Sequence, residues 1–154
     1  MVLPFDTITQ SAKDTQKLGE SFGNSLLKGS GIRGEPAKVV CLRGDLGSGK
    51  TTFVQGVARG LGVTSRLLSP TFIIVRRYAI PQQTGELYHL DLYRTENEKD
   101  AEAIGFSDMI SYPGAVVIIE WPERLEGLLP KKRTEINFWV LPDGAHRISG
   151  RNYG

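Results

Sequence analysis

One glycine-rich segment, with an apolar run before it and a helical pattern after it, constrains this chain more than any other feature. It spans residues 44–51 and reads GDLGSGKT, which fills every fixed position of the pattern G-x-x-x-x-G-K-[ST]. Its glycines allow backbone N–H groups to turn inward around phosphate oxygens, at dihedral angles that a side chain would disfavour. The segment therefore predicts a binding site for a nucleoside triphosphate.

The last two residues of this loop have side chains with separate expected tasks. Lys50 reaches the outer phosphates, and Thr51 offers a hydroxyl to Mg²⁺. The helix that begins there points the positive end of its dipole at the bound anion.

The flanking segments distinguish a phosphate loop from a chance match in a glycine-rich turn. Residues 38–43 form an apolar run typical of a buried parallel strand. After the loop, apolar residues recur at helical spacing from Phe53 to Leu61, and Gly62 follows as a C-terminal stop. Strand, loop and helix occur in the order that a phosphate loop requires.

Size and composition are those of one small intracellular domain. The 154 residues suffice for a single core, and we expect one domain, built around the phosphate loop, over residues 1–154. The net charge of +2 does not indicate a dedicated polyanion-binding protein. Cys41 is the single cysteine, so disulfides and thiolate metal clusters are excluded. No segment resembles a signal peptide or membrane span, and we expect a cytoplasmic protein without membrane contact.

The remaining segments predict a mixed sheet flanked by helices. A short strand at the amino terminus precedes a helix that starts at Ser11, and a short helical segment after Thr95 is interrupted at Gly105. Together with a second apolar strand these segments indicate an α/β sandwich. The further predicted strands are residues 72–78 paired with 87–92, residues 115–119, and residues 134–141 paired with 146–149.

Two carboxylates are candidates for the metal and the attacking water. Glu120 ends the apolar strand 115–119, where a phosphate-loop protein needs an acidic residue. Asp91 lies in a strand-like segment, in which an aspartate is unusual and needs a partner. That partner is either Mg²⁺, its water shell or the Thr51 hydroxyl, or else an arginine such as Arg94.

The roles of three further side chains cannot be decided from residue type alone. Thr71 follows a proline in a loop, which suits either a nucleotide-sensing switch or an ordinary turn. Trp121 can cover a nucleotide, anchor a partner or fill the core. We expect His89 to be a structural histidine, because phosphoryl transfer depends on positioning and charge stabilisation.

Four motifs in order give the chain a family resemblance over nearly its whole length. They are GDLGSGKTT at 44–52, SPTF at 69–72, HLDLYR at 89–94 and IEWPE at 119–123. The chain resembles the TsaE (YjeE) family, bacterial ATPases of tRNA threonylcarbamoyladenosine (t6A) synthesis. The resemblance implies a P-loop NTPase-like α/β sandwich with a mixed, partly parallel central sheet flanked by helices.

The resemblance also implies cofactors, partners and residue roles. It implies ATP and Mg²⁺ as cofactors, and slow ATP hydrolysis that resets or regulates a complex with TsaD and TsaB. TsaD would transfer the threonylcarbamoyl group, so this chain would contact tRNA only indirectly, through the complex. Lys50, Glu120 and Asp91 would be catalytic, with Thr51 and Glu120 at the metal. The nucleotide-binding set would be Asp45, Leu46, Gly47, Ser48, Gly49, Lys50, Thr51, Thr52, Thr15, Thr71 and Trp121.

Departures from the usual family pattern are small, and two other function classes stay open. Ser48 stands where alanine is usual and Phe72 where tyrosine is usual, and neither change removes a required group. A guanine-reading Asn-Lys-x-Asp sequence is absent, which disfavours GTP. A small-metabolite kinase would share the loop, and a non-hydrolysing module could use ATP only to create a protein interface.

Overall fold

The computed structural model describes residues 3–28, 34–67, 74–81, 85–95 and 98–154. A 3₁₀ turn, Pro122–Leu125, follows the fifth strand. In chain order the strands and helices are β1 (Phe5–Thr9), α1 (Ala12–Leu26), β2 (Lys38–Arg43), α2 (Lys50–Gly60), β3 (Val75–Ile80), β4 (Gly85–Asp91), α3 (Glu98–Ala103), α4 (Phe106–Ser111), β5 (Ala115–Glu120), β6 (Arg133–Val140) and β7 (His146–Tyr153).

All seven strands form one mixed sheet in the order β1-β7-β6-β2-β5-β4-β3. The four inner neighbours β6, β2, β5 and β4 run parallel to one another, while β1, β7 and β3 pair antiparallel at the two sides. The predicted α/β fold with a mixed, partly parallel sheet is confirmed. The sequence indicated only two parallel strands, because β4 and β6 interleave buried and partly exposed positions and lack a continuous apolar run.

The two most apolar strands occupy the centre of the sheet. Every residue of β5 is buried, and so are the four middle residues of β2. On one face Leu42 and Ile118 pack with Phe53 beneath α1 and α2. On the other face Cys41 packs with Phe106 and neighbouring residues of the short helices. Both faces of the central strands are therefore covered, as parallel sheets require.

Local signals in the sequence define the helix boundaries. The Ser11 side chain accepts a hydrogen bond from the backbone N–H of Asp14 at 3.1 Å, which caps α1 as predicted. The predicted interruption at Gly105 is also present, because this glycine adopts a φ of 85° between α3 and α4. The start of α2 lacks the side-chain cap seen in α1. Its N-cap residue is Gly49, which adopts a left-handed conformation and has no side chain to accept a hydrogen bond.

Helices α1 and α2 approach each other along four glycines, which we call the glycine seam: Gly19, Gly23, Gly56 and Gly60. A Cβ atom at Gly56 would lie 2.0 Å from the carbonyl oxygen of Gln16, and one at Gly19 would lie 2.2 Å from that of Phe53. No side chain fits between these backbones. The seam therefore fixes α1 against the helix that follows the phosphate loop.

Both predicted hairpins are present with shifted bounds. The first consists of β3 and β4, and residues 72–73, predicted to begin its first strand, lie outside the described residues. The second consists of β6 and β7, and β7 continues to Tyr153, four residues past the predicted end. Across the described ranges, no helix has the length and apolar character needed to cross a membrane.

Candidate functional site

The predicted phosphate loop lies between the end of β2 and the start of α2, at the carboxyl edge of the parallel strands. Gly44, Gly47 and Gly49 have φ angles of 157°, 79° and 104°, which side-chain-bearing residues rarely adopt. A Cβ at Gly44 would also lie 2.7 Å from the carbonyl oxygen of Phe138. The glycines therefore permit a turn at the head of α2, where unpaired helix N–H groups favour an anion.

Lys50 folds back over the loop that precedes it. Its ammonium donates hydrogen bonds to the carbonyl oxygens of Gly44 and Asp45, the latter at 3.0 Å. The Nζ atom also lies 4.5 Å from the centre of the Trp121 ring. Burial lowers the pKa of Lys50, against the opposing effect of nearby carboxylates led by Glu120 and Asp91. The lysine is thus held at the loop by groups that a phosphate can replace.

Glu120 is buried at the end of β5, with 3% of its surface exposed, and accepts hydrogen bonds from two sides. The Thr51 hydroxyl donates to its two carboxylate oxygens, at 3.1 and 3.0 Å. From β4, Nε2 of His89 lies 2.6 Å from Oε2. The predicted metal residues Thr51 and Glu120 are therefore in direct contact, and His89 joins them.

Asp91 lies in register with Glu120 across the parallel pair β4 and β5. Its Oδ1 accepts a hydrogen bond from the backbone N–H of Tyr93 at 3.1 Å. Burial raises the pKa of Asp91, and the Glu120 charge adds to that effect while the Tyr93 N–H opposes it. The two predicted acidic residues are thus neighbours at one edge of the sheet.

Trp121 turns the chain sharply after Glu120. Among the described residues other than glycine, it alone has a positive φ, at 63°, and this left-handed conformation leads directly into the 3₁₀ turn. Its ring lies 5.0 Å from that of Tyr93, centre to centre. Trp121 and Tyr93 together form an aromatic wall beside Lys50.

A second wall comes from residues near both ends of the described chain. Thr15 of α1 is buried, and its hydroxyl lies 2.7 Å from that of Thr9 in β1. His146 begins β7, and a Cβ atom at Gly49 would lie 2.9 Å from its Nδ1. The β6–β7 hairpin therefore brings its turn to the phosphate loop.

These walls enclose a cavity of about 650 Å³, within the usual range for small-molecule sites. Ten of the predicted site residues line it: Thr15, Leu46, Gly47, Gly49, Lys50, Thr51, Thr52, Asp91, Glu120 and Trp121. Asp45 and Ser48 do not, since Asp45 contributes its carbonyl to Lys50 and Ser48 lies buried in the loop. Thr71 lies outside the described residues.

A family model supplies the decisive comparison. The model described as "Threonylcarbamoyl adenosine biosynthesis protein TsaE" matches residues 9–147. The chain belongs to the TsaE family. Family membership and the P-loop-like fold together indicate a nucleotide-binding protein.

Individual TsaE relatives agree with this assignment over most of their length. The chain is 37% identical to a TsaE protein of Treponema pallidum, covering 92% of this chain and 96% of the relative. It is 40% identical to one from Aquifex aeolicus, covering 80% and 81%. Both are named as tRNA threonylcarbamoyladenosine biosynthesis proteins. The crystal structure of YdiB from Bacillus subtilis superposes with a TM-score of 0.77 at 28% identity, covering 100% of this chain and 88% of YdiB.

The site of this TsaE family member suits Mg²⁺ through oxygen donors. Thr51 and Glu120 place a hydroxyl and a carboxylate together at the head of α2, and Mg²⁺ prefers such ligands alongside phosphates and waters. Within the described ranges, no group of three or more His, Cys, Asp and Glu residues could form a protein-only metal cage. The donor set therefore fits an ion held jointly with a nucleotide.

Several site residues of this TsaE family member were not expected from its sequence. The additional cavity-lining residues are Thr9, Gln10, Ser11, Ala12, Tyr93, Arg94, Gly144 and His146. His89 was expected to be structural, but it contacts Glu120 directly. A signal for His89 was present, because it lies two residues before Asp91 and thus on the same face of β4. His146 gave no such local signal, since its position depends on the pairing of β6 with β2.

Proposed function

We propose that residues 1–154 form one ATPase domain that binds ATP with Mg²⁺ and hydrolyses it slowly. We further propose that it acts in the cytoplasm with TsaD and TsaB, when these place a threonylcarbamoyl group on the adenosine next to the tRNA anticodon. The observation that carries the proposal is the contact between Thr51 and Glu120 at the head of α2. It joins the phosphate loop to a carboxylate that can act on the metal or on water.

Phosphate binding is the task of the loop and of Lys50. The backbone N–H groups at the start of α2 have no side-chain cap at Gly49, which leaves them available to an anion. The Lys50 ammonium exchanges its carbonyl partners at Gly44 and Asp45 for phosphate oxygens. A charged acceptor makes the stronger hydrogen bond, so the exchange favours nucleotide binding.

Thr51 and Glu120 are the residues that would hold the metal. An Mg²⁺ ion held there would neutralise charge on the phosphates and polarise the phosphorus to be attacked. A hydroxyl has one donor hydrogen and two acceptor lone pairs, so Thr51 can keep its bond to Glu120 while its oxygen faces a cation. Glu120 also orients the attacking water, and Asp91 beside it adds negative charge at the same edge.

The role in tRNA modification is supported by the names of the relatives. Proteins similar over nearly their whole length are named for tRNA threonylcarbamoyladenosine biosynthesis. In our proposal, the partner proteins perform the transfer, and ATP turnover here resets or regulates their complex. Leu46 and Tyr93 line the cavity and are also exposed, so they offer apolar surface through which a partner can sense the nucleotide.

The test is phosphate release from ATP by the purified protein, measured alone and with TsaD and TsaB, with Mg²⁺ and with a chelator. We expect slow release that requires Mg²⁺ and increases with the partners. Stoichiometric phosphorylation of a small acceptor would instead establish a kinase. Tight ATP binding without release under any of these conditions would establish a non-hydrolysing binding module.

A further inference from the structure

We propose that His89 is a positioning residue, whose Nε2–H holds the Glu120 carboxylate in the orientation that faces Thr51. The inference rests on the proposed function, because it assigns a role to a neighbour of the residue that acts on metal and water. His89 is fully buried, at 0% exposure, and does not line the cavity. It therefore acts through Glu120.

The sheet places the two side chains together. β4 and β5 are parallel neighbours, and His89 is in register with Ile118, two residues before Glu120 on the same face. The resulting distance from Nε2 to Oε2 is 2.6 Å. Thr51 contacts the same carboxylate from α2 at 3.0 Å. Two donors from two different elements thus fix one carboxylate, which leaves it little rotational freedom.

The hydrogen-bond chemistry specifies which ring nitrogen of His89 carries the proton. An ionised carboxylate only accepts hydrogen bonds, so Nε2 must be the donor towards Glu120. The Nδ1 atom is buried and has no hydrogen-bond partner among the described residues. A proton on Nδ1 would leave a buried donor unpaired, which is unfavourable. Hydrogen on Nε2 satisfies the contact with Glu120, whereas hydrogen on Nδ1 alone would turn the lone pair of Nε2 towards the carboxylate.

A donor at this position has a defined consequence for hydrolysis. A carboxylate that acts on a metal or a water must keep its orientation, and partners that orient such groups typically affect affinity or activity by about tenfold to a hundredfold. Without the His89 donor, Glu120 would retain only Thr51 as a side-chain donor among the residues that the structure describes. We therefore expect a loss in turnover with little change in ATP affinity.

Two amide variants distinguish the effect of losing the Nε2–H donor from the effect of losing the volume of the ring. The Gln amide nitrogen reaches approximately the position of histidine Nε2, whereas the Asn amide is one methylene shorter. We expect His89→Asn to lower kcat by about tenfold or more, with the ATP dissociation constant changed less than about threefold. We expect His89→Gln to recover most of that loss. Thermal unfolding of both variants controls for misfolding.

A second readout does not depend on turnover. Nitrogen NMR of the nucleotide-free protein reports which ring nitrogen is protonated, and His146→Asn assigns the signals because the chain has only two histidines. We expect His89 to carry hydrogen on Nε2, and its signal to shift in Glu120→Gln, where the charged acceptor becomes neutral.

The outcomes distinguish this inference from the proposed function. If the wild type hydrolyses ATP and folded His89→Asn does so equally well, the positioning role is wrong and the ATPase proposal stands. Hydrogen on Nδ1, or no response to Glu120→Gln, overturns the inference even if the wild type shows no turnover. Absence of wild-type hydrolysis with and without partners overturns the proposed function by itself.

Discussion

The hydroxyl of Thr51 donates to both carboxylate oxygens of Glu120, at 3.1 and 3.0 Å, across 69 positions of sequence. Thr51 lies in the first turn of α2, and Glu120 is the last residue of β5. Their contact links the phosphate loop to the acidic edge of the sheet. Substitutions on either side of it should therefore affect binding and turnover differently.

Lys50→Ala should weaken ATP binding by about tenfold or more, because a hydrogen bond to a charged group contributes roughly 1.5–3 kcal/mol. Calorimetric titration with ATP measures this change. Lys17→Ala, at an exposed position of α1, is the matched control and should bind ATP like the wild type. If Lys50→Ala binds ATP as tightly as the wild type, this lysine does not contribute to phosphate binding.

Glu120→Gln should lower kcat by about a hundredfold or more, while ATP affinity changes much less. General acid-base or water-orienting groups contribute on this scale, and the amide keeps the shape of the side chain. Single-turnover phosphate release together with equilibrium ATP binding gives the two quantities separately. Turnover at the wild-type rate would contradict the assigned role.

Trp121 should report nucleotide binding through its fluorescence, because the Lys50 ammonium lies 4.5 Å from its ring in this structure and must leave the loop carbonyls to reach a phosphate. The chain has two tryptophans, so the measurement uses a Trp139→Phe background. We expect the emission to change on addition of ATP and to remain constant when Lys50→Ala is also present. A constant signal in the background protein would refute the expected movement.

Glu135→Gln should make the free energy of unfolding depend less on pH in the acidic range. Burial by itself would raise the pKa of Glu135, but hydrogen bonds from Arg43 and Arg133 outweigh it and hold the pKa below its ordinary value. The folded protein therefore binds this proton less readily than the unfolded chain, and the stabilisation is lost as the pH falls below about 4. Urea unfolding across acidic pH should show the wild type and variant converging. A stability difference that is independent of pH would contradict this reasoning.

Gly56→Ala should destabilise the fold by about 1–3 kcal/mol, because its Cβ would lie 2.0 Å from the Gln16 carbonyl oxygen in the glycine seam. Ser21→Ala, at an exposed position of α1, is the control and should change stability by less than about 0.5 kcal/mol. Chemical unfolding of both variants measures the difference. If Gly56→Ala leaves the free energy of unfolding unchanged, α1 and α2 can move apart without loss of stability.

Features encoded by neighbouring residues could be predicted from the sequence. Ser11 caps α1 through its own side chain, and the apolar runs of β2 and β5 occupy the sheet centre, because burial on both faces demands such runs. The glycine spacing likewise determines the loop. These signals placed Thr51 and Glu120 in one predicted site.

Features that depend on strand pairing could not be predicted. In the parallel pair of β2 and β6, Val40 is in register with Thr134, and nothing in the sequence of either strand specifies that register. The alignment nevertheless brings His146 to the phosphate loop. His89 illustrates the same limit, because its residue type suits a core and only the neighbouring strand supplies Glu120 as its partner.

The pairing of β1 with β7 has a consequence for the synthesis of the protein. Asp6 and Arg147 form an ion pair at 2.6 Å although 141 positions separate them, and β1 lies at the edge of the sheet beside β7. A ribosome releases the chain from its amino end, so residues 5–9 emerge long before their partner strand. Thr9 and His146 can therefore form their wall of the cavity only after β7 has been translated. A nascent chain that exposes the phosphate loop is not yet a complete nucleotide site.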